Sequence, residues 1–332
     1  MRGAAAAGAL RGGGRAGEAR RARGRGLHGP PRAGGRARGL GRPRAPPAPR
    51  ALPAVPLAGG LALGAGGLAA PGALAALWGV CVVPLLPTLA GNPSWVFSVG
   101  YGLSSAAAGA AVLASGAAGA APVAAAAGGG LVAYGLRLAA FLYWRQNAWP
   151  EWKERAAKAP EARAKNLLAP VLGCSALYCL MCSPALWLLR AGAGAGGASL
   201  PPLALFGVAV QWAGLVIEGV ADYQKSAHKA AAPKSWCSSG LYSALRHPNY
   251  LGEILHWGGL FVAGLPAALS AGGGPAGVAG RLVPAALGWF GITSLMLRVT
   301  PRLDQRQAEK YGDQPGYAEY VASTSMLVPK VY

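Results

Sequence analysis

The residues best suited to chemistry lie in one short stretch, 240–253, with the sequence Gly-Leu-Tyr-Ser-Ala-Leu-Arg-His-Pro-Asn-Tyr-Leu-Gly-Glu. Pro248 predicts that a helix begins here, because proline fits the first turn of a helix, where no N–H partner is needed. The free N–H groups of such a helix suit a phosphate. Arg246 adds a guanidinium that binds phosphate through two hydrogen bonds. His247, one of only four histidines in the chain, and Asn249 complete the group.

A second polar group precedes this stretch, at Glu218, Asp222, Lys225 and Lys229. The spacings of four, three and four residues place all of them on one face of a helix. Glu218 lies at the edge of an apolar run, and Glu253 lies inside another. A carboxylate in such a place is costly, so it usually has a partner or a ligand. The alternative is a charged face at the membrane surface, with ion pairs between neighbouring turns.

Two arginines also fall in or directly after apolar runs. Arg137 belongs to the stretch Tyr-Gly-Leu-Arg-Leu that begins at Tyr134, and Arg298 follows a run of leucine and methionine. An ionisable residue inside a membrane span is a candidate site residue by default. An arginine near the end of a span can also extend its side chain to the polar surface.

The elements that must position these side chains are membrane-spanning helices. Hydrophobic residues make up 53% of the 332 residues and charged residues only 13%, about half the share found in soluble domains. Because lipid offers no partner to a free backbone group, apolar spans are helical even where alanine and glycine dominate. We therefore predict an all-α, polytopic membrane helix bundle with about six or seven transmembrane helices. The predicted spans are 73–90, 95–116, 122–144, 167–189, 201–221, 250–269 and 282–300.

The charges between these spans alternate along the chain. Charged segments follow the third, fifth and seventh spans, whereas the connections 191–200 and 270–280 carry no charge. An antiparallel bundle requires this alternation, and the positive-inside rule places the charged side toward the cytoplasm or stroma. The polar groups described above all lie at this charged side. We therefore expect a membrane domain at 73–332 whose C-terminal half, 201–332, forms the site.

The first 70 residues form a separate, low-complexity segment. Residues 1–60 contain thirteen arginines and one acid, Glu18, so they carry +12 of the net charge of +20. A basic, acid-poor start is typical of an organelle transit peptide and favours a chloroplast or mitochondrial membrane over the endoplasmic reticulum. The alternative is a disordered basic tail. Since no aromatic residue precedes Trp78, nothing could stack on bases, and we expect no nucleic-acid partner.

Two further patterns do not indicate a site. Cys179 and Cys182 form a C-x-x-C, but no second cysteine pair or nearby histidine completes a zinc set, so we expect no metal. The run Gly192–Gly197 matches G-x-G-x-x-G, but no strand precedes it. The dinucleotide-binding fingerprint requires a strand before the glycines and a helix after them.

The polar motifs resemble the steroid 5-alpha-reductase C-terminal domain family, and more narrowly its uncharacterised branch in bacteria, algae and plants. The resemblance rests on Glu218 with the following Asp-Tyr-Gln-Lys, on the stretch 240–253, and on the tail from Lys310 to Pro329. Residues 136–145 are similar as well, and the likeness extends from about residue 75 to 330. The superfamily is shared with isoprenylcysteine methyltransferases.

The resemblance implies a membrane-embedded reductase whose cofactor is NADPH. Such enzymes add a hydride to a conjugated double bond of a hydrophobic, lipid-like substrate, and a polar group supplies the proton. In this chain the basic groups would contact phosphates. The acids of the fifth span would contact the ribose or amide, and residues at the start of the sixth span would contact the nicotinamide. The implied cofactor residues are Glu218, Asp222, Lys225, Lys229, Arg246, His247, Asn249, Glu253 and Arg298. The proton donor stays open between Tyr134, Tyr143 and Tyr250.

Two other function classes remain. The motif Arg-His-Pro-x-Tyr-x-Gly also occurs in isoprenylcysteine and phospholipid methyltransferases, which use S-adenosylmethionine. The polar face at Glu218–Lys225 and the asparagine before Tyr250 favour the reductase. The basic groups also suit a phosphate-bearing cofactor better than a sulfonium. A non-enzymatic membrane protein, which would bind neither cofactor, is the third class.

Overall fold

The structure of this chain is a computed structural model that describes residues 72–90, 93–116, 122–148, 166–194 and 201–328. The predicted transit peptide at 1–70 and the basic segment 149–165 lie outside the described residues. Within the described ranges, the chain forms helices, turns and one isolated β-bridge, and the predicted all-α class is confirmed.

Every predicted span coincides with a helix. The α-helices are α1 (Ala73–Val82), α2 (Val99–Gly116), α3 (Pro122–Ala148), α4 (Leu168–Gly194), α5 (Pro202–Ala231), α6 (Pro248–Ser270), α7 (Gly274–Tyr311) and α8 (Tyr317–Ser323). Short 3₁₀ helices lie at Val83–Ala90, Trp95–Phe97 and Gly240–Ser243. The first of these extends α1 to the predicted end of the span. It contains Pro84 and Pro87, whose missing N–H groups interrupt the α-helical hydrogen bonds.

Five of these elements are long and apolar enough to cross a membrane: 73–90, α3, α4, α5 and α7. The chain is therefore a multi-pass membrane protein. The other two predicted spans, α2 and α6, face protein more than lipid. α2 buries 13 of its 18 residues, and so it can carry Ser104 and Ser105. α6 is less apolar because it carries buried Glu253 and His256.

In two pairs of helices the backbones come into direct contact, because glycines line the interface between them. A Cβ atom on Gly214 of α5 would lie 2.3 Å from the backbone nitrogen of His256 in α6. A Cβ atom on Gly259 of α6 would lie 2.2 Å from the backbone nitrogen of Gln211. Gly135 of α3 approaches α2 in the same way. Small residues permit such close approach in membranes, where packing and hydrogen bonds hold helices together.

Replacement of Gly214 by valine should force α5 and α6 apart. Overpacking against backbone atoms, which cannot move aside as a side chain can, should lower the free energy of unfolding by about 3 kcal/mol. The measurement is thermal unfolding of the detergent-purified protein, followed by tryptophan fluorescence. Gly173→Val on α4 is the matched control, because no atom lies within 4 Å of its added Cβ. Equal melting temperatures of the two variants would contradict the backbone contact.

The polar ends of two helices extend beyond the predicted spans. α5 continues from the predicted end at residue 221 to Ala231, and α7 continues from residue 300 to Tyr311. The charged residues 302–310 are thus the last part of α7 rather than a separate helix. Beyond α8, Ser325 forms a parallel β-bridge with Leu245, which attaches the C-terminal segment to the residues before α6.

Candidate functional site

An ion-pair network joins α3 to α5 inside the bundle. Arg137 of α3 donates from Nη2 to Oε1 of Glu218 at 2.5 Å and from Nη1 to Oδ2 of Asp222 at 2.7 Å. Both carboxylates are buried, with 4% and 8% of their residue surface exposed. Charges this deep in a bundle are tolerated when they are paired and hydrogen-bonded. The face predicted from the spacing of Glu218 and Asp222 therefore forms, and a second helix, α3, supplies its cation.

A third carboxylate, Glu253 of α6, belongs to a separate network of neutral groups. The Tyr101 hydroxyl donates to its Oε1 at 2.9 Å, and this hydroxyl accepts a hydrogen bond from Nε1 of Trp257 at 2.7 Å. The Tyr134 hydroxyl lies 3.2 Å from that of Tyr101. All four side chains are buried. A Cβ atom on Gly252, the residue before Glu253, would lie 2.5 Å from the backbone nitrogen of Glu218, so the two networks are neighbours.

The imidazole ring of His256 packs against the ring of Tyr134. The two rings stack, with centroids 4.0 Å apart. Nδ1 of His256 lies 3.1 Å from the backbone carbonyl oxygen of Gln211, so this nitrogen must be the donor. Its Nε2 atom is then a buried acceptor, with no partner in the part of the chain that the structure describes. The position of Tyr134 is thus fixed by stacking, and its hydroxyl is directed toward Tyr101.

A cluster of cations and unsatisfied polar atoms lies at the charged end of α5. The ammonium of Lys225 is 5.8 Å from the ring centroid of Tyr242 and makes no hydrogen bond to any described residue. The Tyr242 hydroxyl and Oδ1 of Asn249 are buried and likewise without a described partner. Arg145 at the end of α3 interacts electrostatically with Lys225 and Asp222. We call Arg145, Lys225, Tyr242 and Asn249 the cationic cluster.

Burial raises the pKa of the Tyr242 hydroxyl well above its ordinary value. The hydroxyl therefore remains a neutral hydrogen-bond donor throughout the physiological range. A buried donor without a partner is rare in proteins and calls for an explanation such as a ligand.

Arg246 has partners of its own within the protein. Its Nε lies 3.0 and 3.1 Å from the two carboxylate oxygens of Asp304 in α7. Its Nη1 donates to the carbonyl oxygens of Val321, at 2.9 Å, and Thr324. The backbone nitrogen of Arg246 donates to the carbonyl oxygen of Ser325. The guanidinium predicted to bind phosphate thus ties the start of α6 to α7 and to the C-terminal segment.

His247 adds to this attachment. Its Nε2 lies 3.1 Å from Oδ1 of Asp304, and its backbone nitrogen donates to the carbonyl oxygen of Met326. Burial lowers the pKa of His247, against the opposing effect of Asp304, so the imidazole is neutral at pH 7. Arg246 is therefore the cation that pairs with Asp304. We call Arg246, His247, Asp304 and residues 321–326 the C-terminal clamp.

The remaining predicted residues lie apart from the cationic cluster or at its edge. Lys229 donates to the hydroxyl of Tyr311 at 2.6 Å and to the carbonyl oxygen of Ser235. Arg298 is exposed on α7, without a hydrogen bond or ion pair to any residue the structure describes. Tyr250 is half-buried, and its ring centroid is 5.9 Å from that of His247. Tyr143 is half-buried on α3.

The predicted site residues thus fall into three places. Glu218, Asp222 and Glu253 meet inside the bundle, Lys225 and Asn249 belong to the cationic cluster, and Arg246 with His247 belongs to the clamp. Sequence reasoning did not assign Tyr101, Trp257 or Asp304. A tyrosine in the Ala/Gly-rich second span was the one available signal for Tyr101, since few other polar groups occur there.

A family model described as "Protein of unknown function (DUF1295)" matches residues 130–324, which is more than half of the chain. The chain belongs to this family. Comparison with the curated proteins gives no match, and neither does comparison with the solved structures. The DUF1295 region begins inside α3 and ends in the clamp, so it contains the Arg137 ion pairs and the cationic cluster. Tyr101 lies outside it.

Proposed function

We propose that this DUF1295 protein is a membrane-bound, NADPH-dependent reductase of a conjugated double bond in a lipid-like substrate, such as a sterol or a prenyl compound. The observation that carries the proposal is the cationic cluster. It joins positive charge to buried polar atoms that no described residue satisfies. The arginine-rich residues 1–70 support a chloroplast or mitochondrial membrane as the location.

The unsatisfied atoms fit the chemical groups of NADPH. Its phosphates suit Lys225, Arg145 and the N-terminal end of α6. Its amide and ribose hydroxyls are donors, and they suit two of the buried acceptors that lack a described partner, Oδ1 of Asn249 and Oε2 of Glu218. Arg246 and Lys229 already have protein partners, so in this proposal Lys225 takes over their phosphate contacts.

The chemistry divides between the cofactor and the bundle. Bound NADPH supplies a hydride, and the protein binds, orients and shields the reacting groups. The ion pairs of Arg137 hold Glu218 in place beside Gly252, near the start of α6. The buried interior excludes water and admits an apolar substrate from the lipid. The likeness of the 240–253 motif to the steroid 5-alpha-reductase C-terminal domain family supports the reaction class.

Lys225→Met should weaken NADPH binding at least tenfold, which corresponds to about 1.4 kcal/mol, because the variant loses a cation that faces the phosphates. The measurement is isothermal titration of the full chain in detergent with NADPH. Lys234→Met is the matched control, since it removes the same charge from an exposed position. Asn249→Ala tests the amide contact in the same assay.

The outcomes separate the three function classes. Saturable NADPH binding that Lys225→Met weakens and Lys234→Met leaves unchanged supports the reductase. Binding of S-adenosylmethionine without NADPH would identify a methyltransferase instead. Binding of neither cofactor by a folded, monodisperse sample would overturn the proposal and favour a structural membrane protein.

A further inference from the structure

The buried carboxylates outnumber the cations that pair with them. Glu218 and Asp222 share the guanidinium of Arg137. No arginine or lysine of the described residues pairs with Glu253, whose hydrogen-bond partner is the Tyr101 hydroxyl. An unpaired carboxylate surrounded by aromatic rings and other negative charges is strongly disfavoured in a bundle interior. The neutral acid avoids this penalty.

We propose that Glu253 holds a proton inside the bundle and that Tyr101 and Tyr134 pass this proton to a ligand. This inference rests on the proposed function, for which it names the source of the proton. The chain of groups is continuous, with 2.9 Å between Glu253 and Tyr101 and 3.2 Å between the two tyrosine hydroxyls.

Trp257 limits the hydrogen bonds between Glu253, Tyr101 and Tyr134 to two arrangements. An indole N–H can only donate, so one acceptor position of the Tyr101 oxygen is permanently occupied. The Tyr101 proton can then be directed either to Glu253 or to Tyr134. In the first state, Tyr134 donates to Tyr101, and Tyr101 donates to the carboxylate. In the second, the protonated Glu253 donates to Tyr101, Tyr101 donates to Tyr134, and the Tyr134 hydroxyl can donate to a ligand.

One proton is transferred when the second state changes to the first. The O–H bond of Tyr134 breaks as a bond to hydrogen forms on the ligand. The Tyr134 oxygen then receives the proton of Tyr101, and Tyr101 receives the proton of Glu253, which remains as a carboxylate. No electron moves through these residues, because the hydride of the reduction comes from the cofactor. Solvent later returns a proton to the Glu253 carboxylate, which completes the cycle.

Fourier-transform infrared spectroscopy of the detergent-purified full chain tests the proton on Glu253 without any substrate. At pH 7 we expect a C=O stretching band of a protonated carboxylic acid, which Glu253→Gln should remove completely. Tyr101→Phe should shift this band, because the acid loses its hydrogen-bond partner. Tyr178→Phe is the matched control and should leave the band unchanged. Tyr178 packs 4.8 Å from the ring of Tyr101, but its hydroxyl donates to the carbonyl oxygen of Val96.

The outcomes distinguish this inference from the proposed function. A band that disappears in Glu218→Gln and persists in Glu253→Gln would overturn the inference, as would a wild-type spectrum without such a band. NADPH binding by a protein that lacks the band would leave the reductase standing without this relay. If Glu253→Gln does not fold, the wild-type band and its shift in Tyr101→Phe still decide the question.

Discussion

Arg246→Ala should release the C-terminal segment and lower the free energy of unfolding by about 3 kcal/mol. The substitution removes the counter-charge of Asp304, whose remaining partner is the neutral His247, and it deprives the carbonyl oxygens of Val321 and Thr324 of this donor. Removal of one partner from a buried ion pair is much more harmful than replacement of both, because an uncompensated charge remains. Arg246 is only 7% exposed, so solvent cannot take over its role.

Two measurements test this expectation together. Thermal unfolding in detergent should show the loss of stability, and hydrogen exchange should show faster exchange in residues 317–326. Arg302→Ala is the control, since it removes an exposed arginine from the same end of α7. Asp304→Asn should reproduce the faster exchange, because it weakens the clamp from the other side. A phosphate-binding role for Arg246 predicts the opposite result, in which NADPH affinity falls and stability is unchanged.

The helices were predictable because the membrane restricts what an apolar stretch can become. Even the Ala/Gly-rich segment that forms α2 and α3 is helical, as the requirement for internal backbone hydrogen bonds demands. The helix ends were less predictable. The end of a hydrophobic stretch marks where the lipid ends, but not where the helix ends. α5 and α7 continue into the polar region as far as Ala231 and Tyr311. A helix can keep its backbone conformation as it leaves the membrane, so the edge of the lipid does not fix where the helix ends.

The site was predictable where its residues share a helix, and not where they lie on different helices. The spacing of Glu218 and Asp222 fixes their common face without any knowledge of neighbouring helices. The contact with Arg137 depends on how α3 and α5 align, which the sequence does not specify. The ion pair of Arg246 was not predicted for the same reason. Its partner Asp304 lies 58 residues later, in a part of the tail that resembles an exposed charged helix.

Arg137→Met should be the second strongly destabilising substitution, again by about 3 kcal/mol or more. It leaves Glu218 and Asp222 together inside the bundle, where each had the same guanidinium as its counter-charge. Arg190→Met, at an exposed position at the end of α4, is the control for the loss of an arginine. Thermal unfolding in detergent measures both variants.

The cause of the destabilisation can be isolated by neutralising the carboxylates as well. The triple variant Arg137→Met, Glu218→Gln and Asp222→Asn keeps the side-chain volumes and removes all three charges, so it should recover most of the lost stability. It should nevertheless bind NADPH poorly, because residue 218 no longer offers a charged acceptor near the start of α6. If the triple variant is as unstable as Arg137→Met, then Arg137 stabilises the bundle through packing of its aliphatic stem. Recovery of stability without recovery of binding would separate the structural role of this ion pair from its role in the site.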